Sequence, residues 1–397
     1  MINKKRLISL TRRLIKINSE NPPGNEFEIA CFVRDYLKAL GLSPRIYEFK
    51  SRRSNVVAVL EGINRQRSLL ISPHLDTVPA GANWKFDPFA GEIKKGRIYG
   101  LGATDCKGNL ACALEAINSI VEDNITLGYN LIFAATADEE SGSDLGLQPL
   151  LNKKILQPDA ALVLDADNFE IIITQKGLIH LKLKIQGRKA HGAYPEQGIN
   201  AIDIALDIIK EIKAHKFSSP GNRYLKPPTI NIGTIKGGDK VNVVADWCEF
   251  ELDFRFLPGM SAKYFLSILK GITDRRIKKT SRPGKALQGK AKIQIEIEGI
   301  QEPYYISKEY PLVACLKGAM HKAGGRPAIR GSEGATVMTF FQHKNIPAVA
   351  CGFGSEGCAH IADEYAEIDN LYRGATALEI FLKNYRFQND NRQSINQ

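Results

Sequence analysis

The chain has 397 residues, of which 44% are hydrophobic and 24% are charged. These fractions are those of an ordinary globular protein and exclude a disordered or fibrous chain, and the length suits two domains better than one. The sequence contains no apolar run long enough to span a bilayer, so we expect no membrane partner. Residues 1–17 lack the continuous apolar stretch of a secretory signal and instead predict an amphipathic helix.

The net charge of +11 could indicate a nucleic-acid partner. Much of the basic excess lies in residues 275–292, a segment interrupted by Gly and Pro that has no aromatic residues for base stacking. We therefore interpret this segment as a solvated, mobile loop and expect no nucleic-acid partner. The seven cysteines are an odd number without metal-ligand spacing, which favours reduced thiols in a cytoplasmic protein.

Strand and helix patterns alternate along the first part of the chain. Short β-rich apolar runs predict strands, and amphipathic stretches between them predict helices: strands at 55–61, 68–72, 130–136 and 160–164, and helices at 26–40 and 108–122. Such βαβ alternation predicts an open, mostly parallel sheet with helices on both faces.

The middle of the chain has a different pattern. Alternating strands are predicted at 180–186, 229–235, 249–256 and 292–298, with helices at 199–214 and 261–273. The first pattern then returns, with a helix at 311–323, a strand at 348–351 and a last helix at 371–385. We therefore predict an α/β fold in which one domain, residues 1–176 and 298–397, is interrupted by a smaller α+β domain, residues 177–297.

His74 lies at the end of a predicted strand and is followed two residues later by Asp76. Open α/β sheets bind their ligands at the carboxyl ends of the strands. In a His-x-Asp pair, the aspartate can accept a hydrogen bond from the imidazole nitrogen that faces away from a metal. Alone, the pair is a weak signal, because a single histidine at a strand end is more often structural than a metal ligand.

Acidic residues occur at similar positions elsewhere in the chain. Asp105 lies in a glycine-rich run just before a predicted helix, where capping of that helix is the alternative role. Glu139 and Glu140 end the strand at 130–136, and Asp165 ends the strand at 160–164. Clustered carboxylates repel one another unless a positive charge lies among them, so a metal site competes here with a simple acidic surface turn.

His360, in a Gly-rich loop late in the chain, supplies a second histidine. Two histidines with several carboxylates form the mixed nitrogen and oxygen ligand set that zinc accepts, with cobalt or manganese as replacements. Each fragment is ambiguous alone, but together they predict one metal site. Its candidate ligands are His74, Asp105, Glu140, Asp165 and His360.

A series of motifs follows in order along nearly the whole chain: HLDTVP, GATDxKG, DEESG, a strand-end acid, AHxxYP, NVVAD, LDFR, and GxxxxAH followed by DEY. The series resembles the di-zinc family that contains acetylornithine deacetylase, succinyl-diaminopimelate desuccinylase, aminoacylase and glutamate carboxypeptidase. The resemblance implies two Zn²⁺ ions per subunit, with Co²⁺ or Mn²⁺ as replacements. One ion would bind His74 and Asp165 and the other Glu140 and His360, with Asp105 bridging them.

The resemblance also implies roles for residues that are not ligands. Asp76 would orient His74, and Glu139 would be the general base. The bridging aspartate of the family is commonly followed by a cis peptide bond, which we expect between Asp105 and Cys106.

The inserted domain would be a lid and dimerisation domain. There, His191 resembles the histidine that reaches the active site of the other subunit, which implies a homodimer. Asn242 and Tyr194 would lie near the substrate, and Arg255 would pair with its carboxylate.

Some positions depart from the deacetylase and desuccinylase patterns. Asp165 stands where these enzymes usually have Glu, and Ala335 stands where the desuccinylase loop carries Arg, so that Arg330 just upstream would replace it. Conversely, residues 191–195 are more similar to desuccinylases than to deacetylases. We therefore expect an amidohydrolase that cleaves the amide bond of a small N-acyl amino acid. The alternative is a carboxypeptidase or dipeptidase of the same family.

Overall fold

The computed structural model describes residues 1–280 and 290–387 of the chain. Contacts within it define two compact units. The first consists of Met1–Ile173, Ile306–Gly331 and Thr336–Gln397, and the second of Thr174–Tyr305 and Ser332–Ala335. The first unit contains a sheet with parallel central strands and flanking helices, and the second contains an antiparallel sheet, so the predicted fold class is confirmed.

The strands in chain order are β1 (Arg45–Glu48), β2 (Ser54–Leu60), β3 (Asn64–Ser72), β4 (Glu92–Lys94), β5 (Arg97–Tyr99), β6 (Tyr129–Ala135), β7 (Ala160–Val163), β8 (Glu170–Gln175), β9 (Gly177–Gln186), β10 (Thr229–Gly237), β11 (Trp247–Phe256), β12 (Lys292–Gln301), β13 (Tyr304–Tyr305), β14 (Ala328–Ser332), β15 (Ala348–Cys351) and β16 (Tyr365–Glu367). The helices are α1 (Lys4–Ile15), α2 (Phe27–Ala39), α3 (Lys107–Glu122), α4 (Leu147–Asn152), α5 (Ala201–Ala214), α6 (Ala262–Thr280), α7 (Pro311–Lys322), α8 (Met338–Gln342) and α9 (Ile368–Asn384).

The main sheet of the first unit has the strand order β1-β2-β6-β3-β7-β15-β8. Its central strands β6, β3, β7 and β15 are parallel, whereas the outer pairs are antiparallel. Every residue of β7 and β15 is buried, as expected of parallel strands that are covered on both faces. The parallel centre brings the carboxyl ends of four strands to one edge of the sheet.

Helices cover this sheet through the apolar stripes that the sequence predicts. α2 packs on β1 and β2, α7 and α8 pack on β15, and α3 packs against α1 and α9. α1 buries Leu7, Leu10, Leu14 and Ile15 and exposes Lys4, Lys5 and Arg13, which confirms the predicted amphipathic helix. Within the described part of the chain, we find no helix with the length and hydropathy that crossing a membrane requires.

The second unit is built on a four-stranded antiparallel sheet with the order β10-β11-β9-β12. Buried and more exposed residues alternate along β9 and β11, so one face of the sheet is apolar. That face packs with α5 and α6 around an aromatic cluster in which Phe254 stacks on Phe265. The other face carries cross-strand ion pairs, such as Lys182 with Glu251 at 2.7 Å.

The prediction of a mobile loop at residues 275–292 is wrong at both ends of this segment. α6 continues to Thr280, and β12 begins at Lys292. The helix continues because α5 offers acidic partners: Arg276 pairs with Asp207 at 2.6 Å and with Glu211 at 2.9 Å. Residues 281–289, the middle of the expected loop, lie outside the described residues.

Candidate metal centre

The candidate site lies where the central strands of the main sheet end. β3 is followed by His74, β6 by Glu139 and Glu140, and β7 by Asp165. A bridge between His74 and Thr136 extends the pairing of β3 with β6 beyond both strands. Because these strands are parallel neighbours, their carboxyl ends point the same way and bring the polar side chains together.

Asp105 lies between the two histidines. Its Oδ1 atom is 2.8 Å from Nε2 of His74, and its Oδ2 atom is 3.1 Å from Nε2 of His360. Oε1 of Glu140 is 3.2 Å from the same nitrogen of His360. Each oxygen of the Asp105 carboxylate thus faces one histidine, which is the arrangement that a carboxylate bridging two metal ions requires.

The described residues contain two groups of potential ligand atoms, and within each group all atoms lie within 4.8 Å of one another. The first group is His74, Asp105 and Cys106, and the second is Asp105, Glu140 and His360. Asp105 belongs to both groups. Cys106 forms hydrogen bonds with the backbone of His74 at 3.2 and 3.3 Å, and burial raises the pKa of its thiol to about 12. It is therefore a packing residue rather than a good ligand, since metals bind the thiolate.

Asp165 and Glu139 lie outside both groups but close enough to influence them. Burial, followed by the charge of Asp105, raises the pKa of Asp165 to about 7. Burial, followed by the charge of Asp165, raises the pKa of Glu139 well above its usual range. Both carboxylates are thus buried beside other negative charges, which makes their ionised forms costly.

The donor set fits divalent metal ions. Carboxylates crowded together with raised pKa values are stabilised when a cation is bound among them. His360 responds to the same negative charges in the opposite sense, because hydrogen bonds with Asp105 and Glu140 favour its protonated form and raise its pKa to about 10. Imidazole nitrogens and carboxylate oxygens are the usual ligands of zinc.

Asp76 fixes the orientation of His74 and also a second element. Nδ1 of His74 lies 3.0 Å from the backbone oxygen of Asp76 and 3.6 Å from its carboxylate, which leaves Nε2 free to face Asp105. The Asp76 carboxylate accepts the backbone N–H groups of Glu139 at 3.1 Å and Glu140 at 3.2 Å. Asp76 therefore holds the turn that carries the predicted base and one predicted ligand.

Glu364 holds the loop of Asp105 and is a residue that we did not predict. Its carboxylate accepts the backbone N–H groups of Gly102 at 2.9 Å, Thr104 at 2.8 Å and Asp105 at 3.0 Å. The peptide bond between Asp105 and Cys106 is cis, as expected. The DEY motif pointed to this region, but only the structure shows what its glutamate binds.

The second unit brings two of the predicted residues together. His191 forms an antiparallel bridge with Val243, and the N–H of Gly192 donates to the carbonyl of Asn242 at 2.8 Å. Tyr194, in the same loop as His191, is 56% exposed. His191 and Asn242 therefore lie in two loops that are hydrogen-bonded to each other.

Two predicted arginines have ion-pair partners within the chain. Nε of Arg255 bonds to the carboxylate of Asp253 at 2.8 Å, and its Nη2 does so at 2.9 Å. Arg330 pairs with Glu170 at 3.2 Å and remains largely exposed. A substrate carboxylate at Arg255 would therefore have to share or replace the bonds to Asp253.

The family model described as peptidase family M20/M25/M40 matches residues 70–384. The chain is 30% identical to acetylornithine deacetylase of Proteus mirabilis, over 84% of this chain and 84% of that protein. It is 29% identical to an uncharacterized metallohydrolase of Methanocaldococcus jannaschii, over 95% of this chain and 98% of that protein. The structure of a tripeptidase from Staphylococcus aureus is similar with a TM-score of 0.77 at 27% identity, over 96% of this chain and 98% of that chain.

Replacing Glu364 with Gln tests its role in holding the loop of Asp105. Glu364→Gln turns one acceptor into a donor that faces a backbone N–H group, and we expect a loss of about 1–3 kcal/mol in the free energy of unfolding of the metal-free protein. Urea unfolding measures this loss.

Glu367→Gln is the matched control for this experiment, because the Glu367 side chain lies in the same region of the chain but is 45% exposed. Its loss should stay within about 0.5 kcal/mol. Equal losses for the two variants would contradict the role of Glu364.

Proposed function

The chain belongs to peptidase family M20/M25/M40 and is a metal-dependent hydrolase, and from this premise we propose that it is a di-zinc amidohydrolase that cleaves the amide bond of a small N-acyl amino acid. The observation that carries the proposal is Asp105, whose two carboxylate oxygens each face a different histidine. A bridging carboxylate between two imidazoles is what a two-metal hydrolytic site needs.

The proposed ligands divide into two sets around Asp105. His74 and Asp165 complete one set, and Glu140 and His360 complete the other. Co²⁺ or Mn²⁺ could replace Zn²⁺, because nitrogen and oxygen ligands accept all three ions. The raised pKa of Asp165 supports its place in the first set, since a bound cation would stabilise its ionised form.

Two bound Zn²⁺ ions would lower the pKa of the attacking water toward ~7 and polarise the scissile carbonyl. Glu139, held beside ligand Glu140 by the Asp76 carboxylate, accepts the proton of this water on its own carboxylate. It then donates the proton to the leaving amine, so that one side chain serves as base and then as acid. The burial that raises the pKa of Glu139 favours this exchange.

We further propose that the protein is a cytoplasmic homodimer, in which His191 of each subunit donates a hydrogen bond to the oxyanion in the site of the other. The second unit exposes apolar side chains that would favour self-association, including Val241 at 104% exposure and Ile235, on the edge strand β10, at 48%. Val241 is the chain neighbour of Asn242, so the burial of Val241 in a dimer would also fix the loop that carries Asn242. Nucleic acid and membrane have no part in this proposal.

The remaining predicted residues would recognise the substrate. Arg255 presents a guanidinium suited to a carboxylate, and its existing bonds to Asp253 would orient it. Asn242 and the exposed Tyr194 offer an amide and a phenol beside His191. Arg330 carries an exposed charge that would suit an anionic acyl group.

A short peptide is the second candidate substrate. Asp165 departs from the glutamate that deacetylases and desuccinylases usually have, and the similar Staphylococcus aureus structure is named a tripeptidase. Peptidase and deacylase chemistry would use the same metals and the same Glu139. The two candidates therefore differ in the substrate and not in the mechanism.

A substrate panel tests the proposed function. Zinc-loaded protein should hydrolyse at least one member of a panel that contains acetylornithine, succinyl-diaminopimelate, other N-acyl amino acids, dipeptides and tripeptides. Treatment with a chelator should abolish the activity, and Zn²⁺ should restore it, because activation of the water depends on the metals. Hydrolysis of peptides alone would favour the second candidate, and activity that survives complete metal removal would contradict both.

Glu139→Gln should separate metal binding from catalysis. The variant keeps the shape of the side chain but lacks a basic carboxylate, so we expect a decrease in kcat of about 10²–10⁴ with two Zn²⁺ ions retained per subunit. Activity assays and metal analysis measure the two properties. Glu122→Gln, at an exposed position paired with Arg6, is the control and should keep full activity. Normal turnover by Glu139→Gln would disprove the assigned base.

Mixing two inactive variants tests the contribution of His191 across the dimer. Glu139→Gln and His191→Ala subunits, refolded together in equal amounts, should form mixed dimers in which one of the two sites is complete. Random assembly would then restore about one quarter of the wild-type activity. Differently tagged subunits would verify that mixed dimers form. If verified mixed dimers show no activity, His191 does not act in the partner's site.

A further inference from the structure

Asn21 is a buried asparagine behind the candidate metal centre, with 4% exposure. Its Nδ2 atom donates to Oδ2 of Asp76 at 2.9 Å and to Oδ1 of Asp138 at 3.3 Å. An amide NH₂ group has two hydrogens, and here each one serves a different carboxylate. Neither the sequence motifs nor the proposed mechanism gives Asn21 a role.

The two carboxylates that Asn21 joins hold the same turn from its two sides. Asp76 accepts the N–H groups of Glu139 and Glu140, as described above. Asp138 directly precedes them, has a positive φ of 65°, and accepts the N–H of Leu145 at 3.0 Å. The position of the turn therefore depends on both carboxylates.

Asp138 is in turn fixed by a buried ion-pair network. Nη2 of Arg53 donates to Oδ1 of Asp138 at 2.7 Å, and the guanidinium also bonds to both oxygens of Glu26 at 2.7 and 2.8 Å. Asp138 is thus held by the guanidinium of Arg53, whereas the basic partner of Asp76 is His74. Asn21 connects the carboxylate of Asp76 to a carboxylate that is anchored by an arginine.

We propose that Asn21 is a positioning residue of the metal centre, which acts through Asp76 to hold the turn of Glu139 and Glu140. The proposal rests on the proposed function, because that function makes Glu140 a ligand and Glu139 the base. A neutral amide suits this position. A carboxylate there would face two others, and an apolar side chain would leave both Asp76 and Asp138 with an unfilled acceptor in a buried place.

Asn21→Leu removes both donors at similar volume and adds no charge. Loss of a residue that hydrogen-bonds directly to a metal ligand typically lowers metal affinity or activity about 10–100-fold, and Asn21 acts one contact further away, through Asp76. We therefore expect a decrease in zinc affinity at the lower end of this range, about 10-fold, measured on the chelated full-length protein by competition of Zn²⁺ alone with a chromogenic chelator. The substrate panel should show a corresponding decrease in kcat.

Asn118→Leu is the matched control. Asn118 is also 4% exposed, and its Nδ2 atom donates to the hydroxyl of Tyr36 at 2.8 Å, on α3 rather than in the turn. We expect this variant to lose thermal stability as Asn21→Leu does, while its zinc affinity stays within about threefold of wild type. Equal zinc affinities for the two variants would overturn the proposal.

A double-mutant cycle tests whether Asn21 acts through Asp76. If it does, Asn21→Leu should change zinc affinity less than about threefold in an Asp76→Asn background, because coupled residues are not additive. Full additivity of the two losses would overturn the route through Asp76. If Asn21→Leu does not fold, Asn21→Ser, which keeps one donor, takes its place and should retain part of the affinity.

The outcome is separable from the proposed function. Wild-type protein that binds no Zn²⁺ would contradict the proposed function before any variant is compared. Wild-type protein that binds two Zn²⁺ ions while Asn21→Leu binds them equally well would contradict only the role of Asn21.

Discussion

Burial of carboxylates beside one another is the constraint around which the rest of the site is organised. Glu139 and Asp165 lie where burial removes the screening by water, so ionising either one is costly, and neighbouring carboxylates add to that cost. Burial, followed by the charge of Asp105, raises the pKa of Asp165 to about 7. Two histidines offset only part of the cost of ionisation. Divalent cations bound among these side chains would offset the rest of this cost, which is why the arrangement favours a metal centre over a structural cluster.

Backbone geometry places these groups, and polar residues behind them keep them in place. The parallel strands β3, β6 and β7 deliver three of the chain segments to one edge of the sheet. Glu364 then holds the loop of Asp105 through three N–H groups, while Asp76 holds the turn after β6. These supports are buried carboxylates that accept backbone N–H groups, so the side chains of the candidate ligands remain free to bind metal.

Much of the site could be predicted from the sequence because its determinants are local. An apolar run that ends in a polar residue marks a strand end, and the strand predicted at 160–164 corresponds to β7, Ala160–Val163. The helix predicted at 108–122 corresponds to α3, Lys107–Glu122. Parallel pairing then follows from the βαβ alternation, and the order of the motifs indicated which strand ends would meet.

What the sequence could not show depends on partners that are distant in the chain. Glu364 binds N–H groups more than 250 residues away, and no local pattern encodes such a bond. Asn21 similarly reaches Asp76 and Asp138. The basic segment after residue 275 was wrongly interpreted as a loop because the acidic residues of α5 that pair with Arg276 are not its sequence neighbours.

The most direct test is anomalous diffraction at the zinc edge from crystals of the zinc-loaded protein. The account predicts two peaks ~3.5–4 Å apart, one against each oxygen of the Asp105 carboxylate. A single peak, or two peaks that Asp105 does not join, would contradict it.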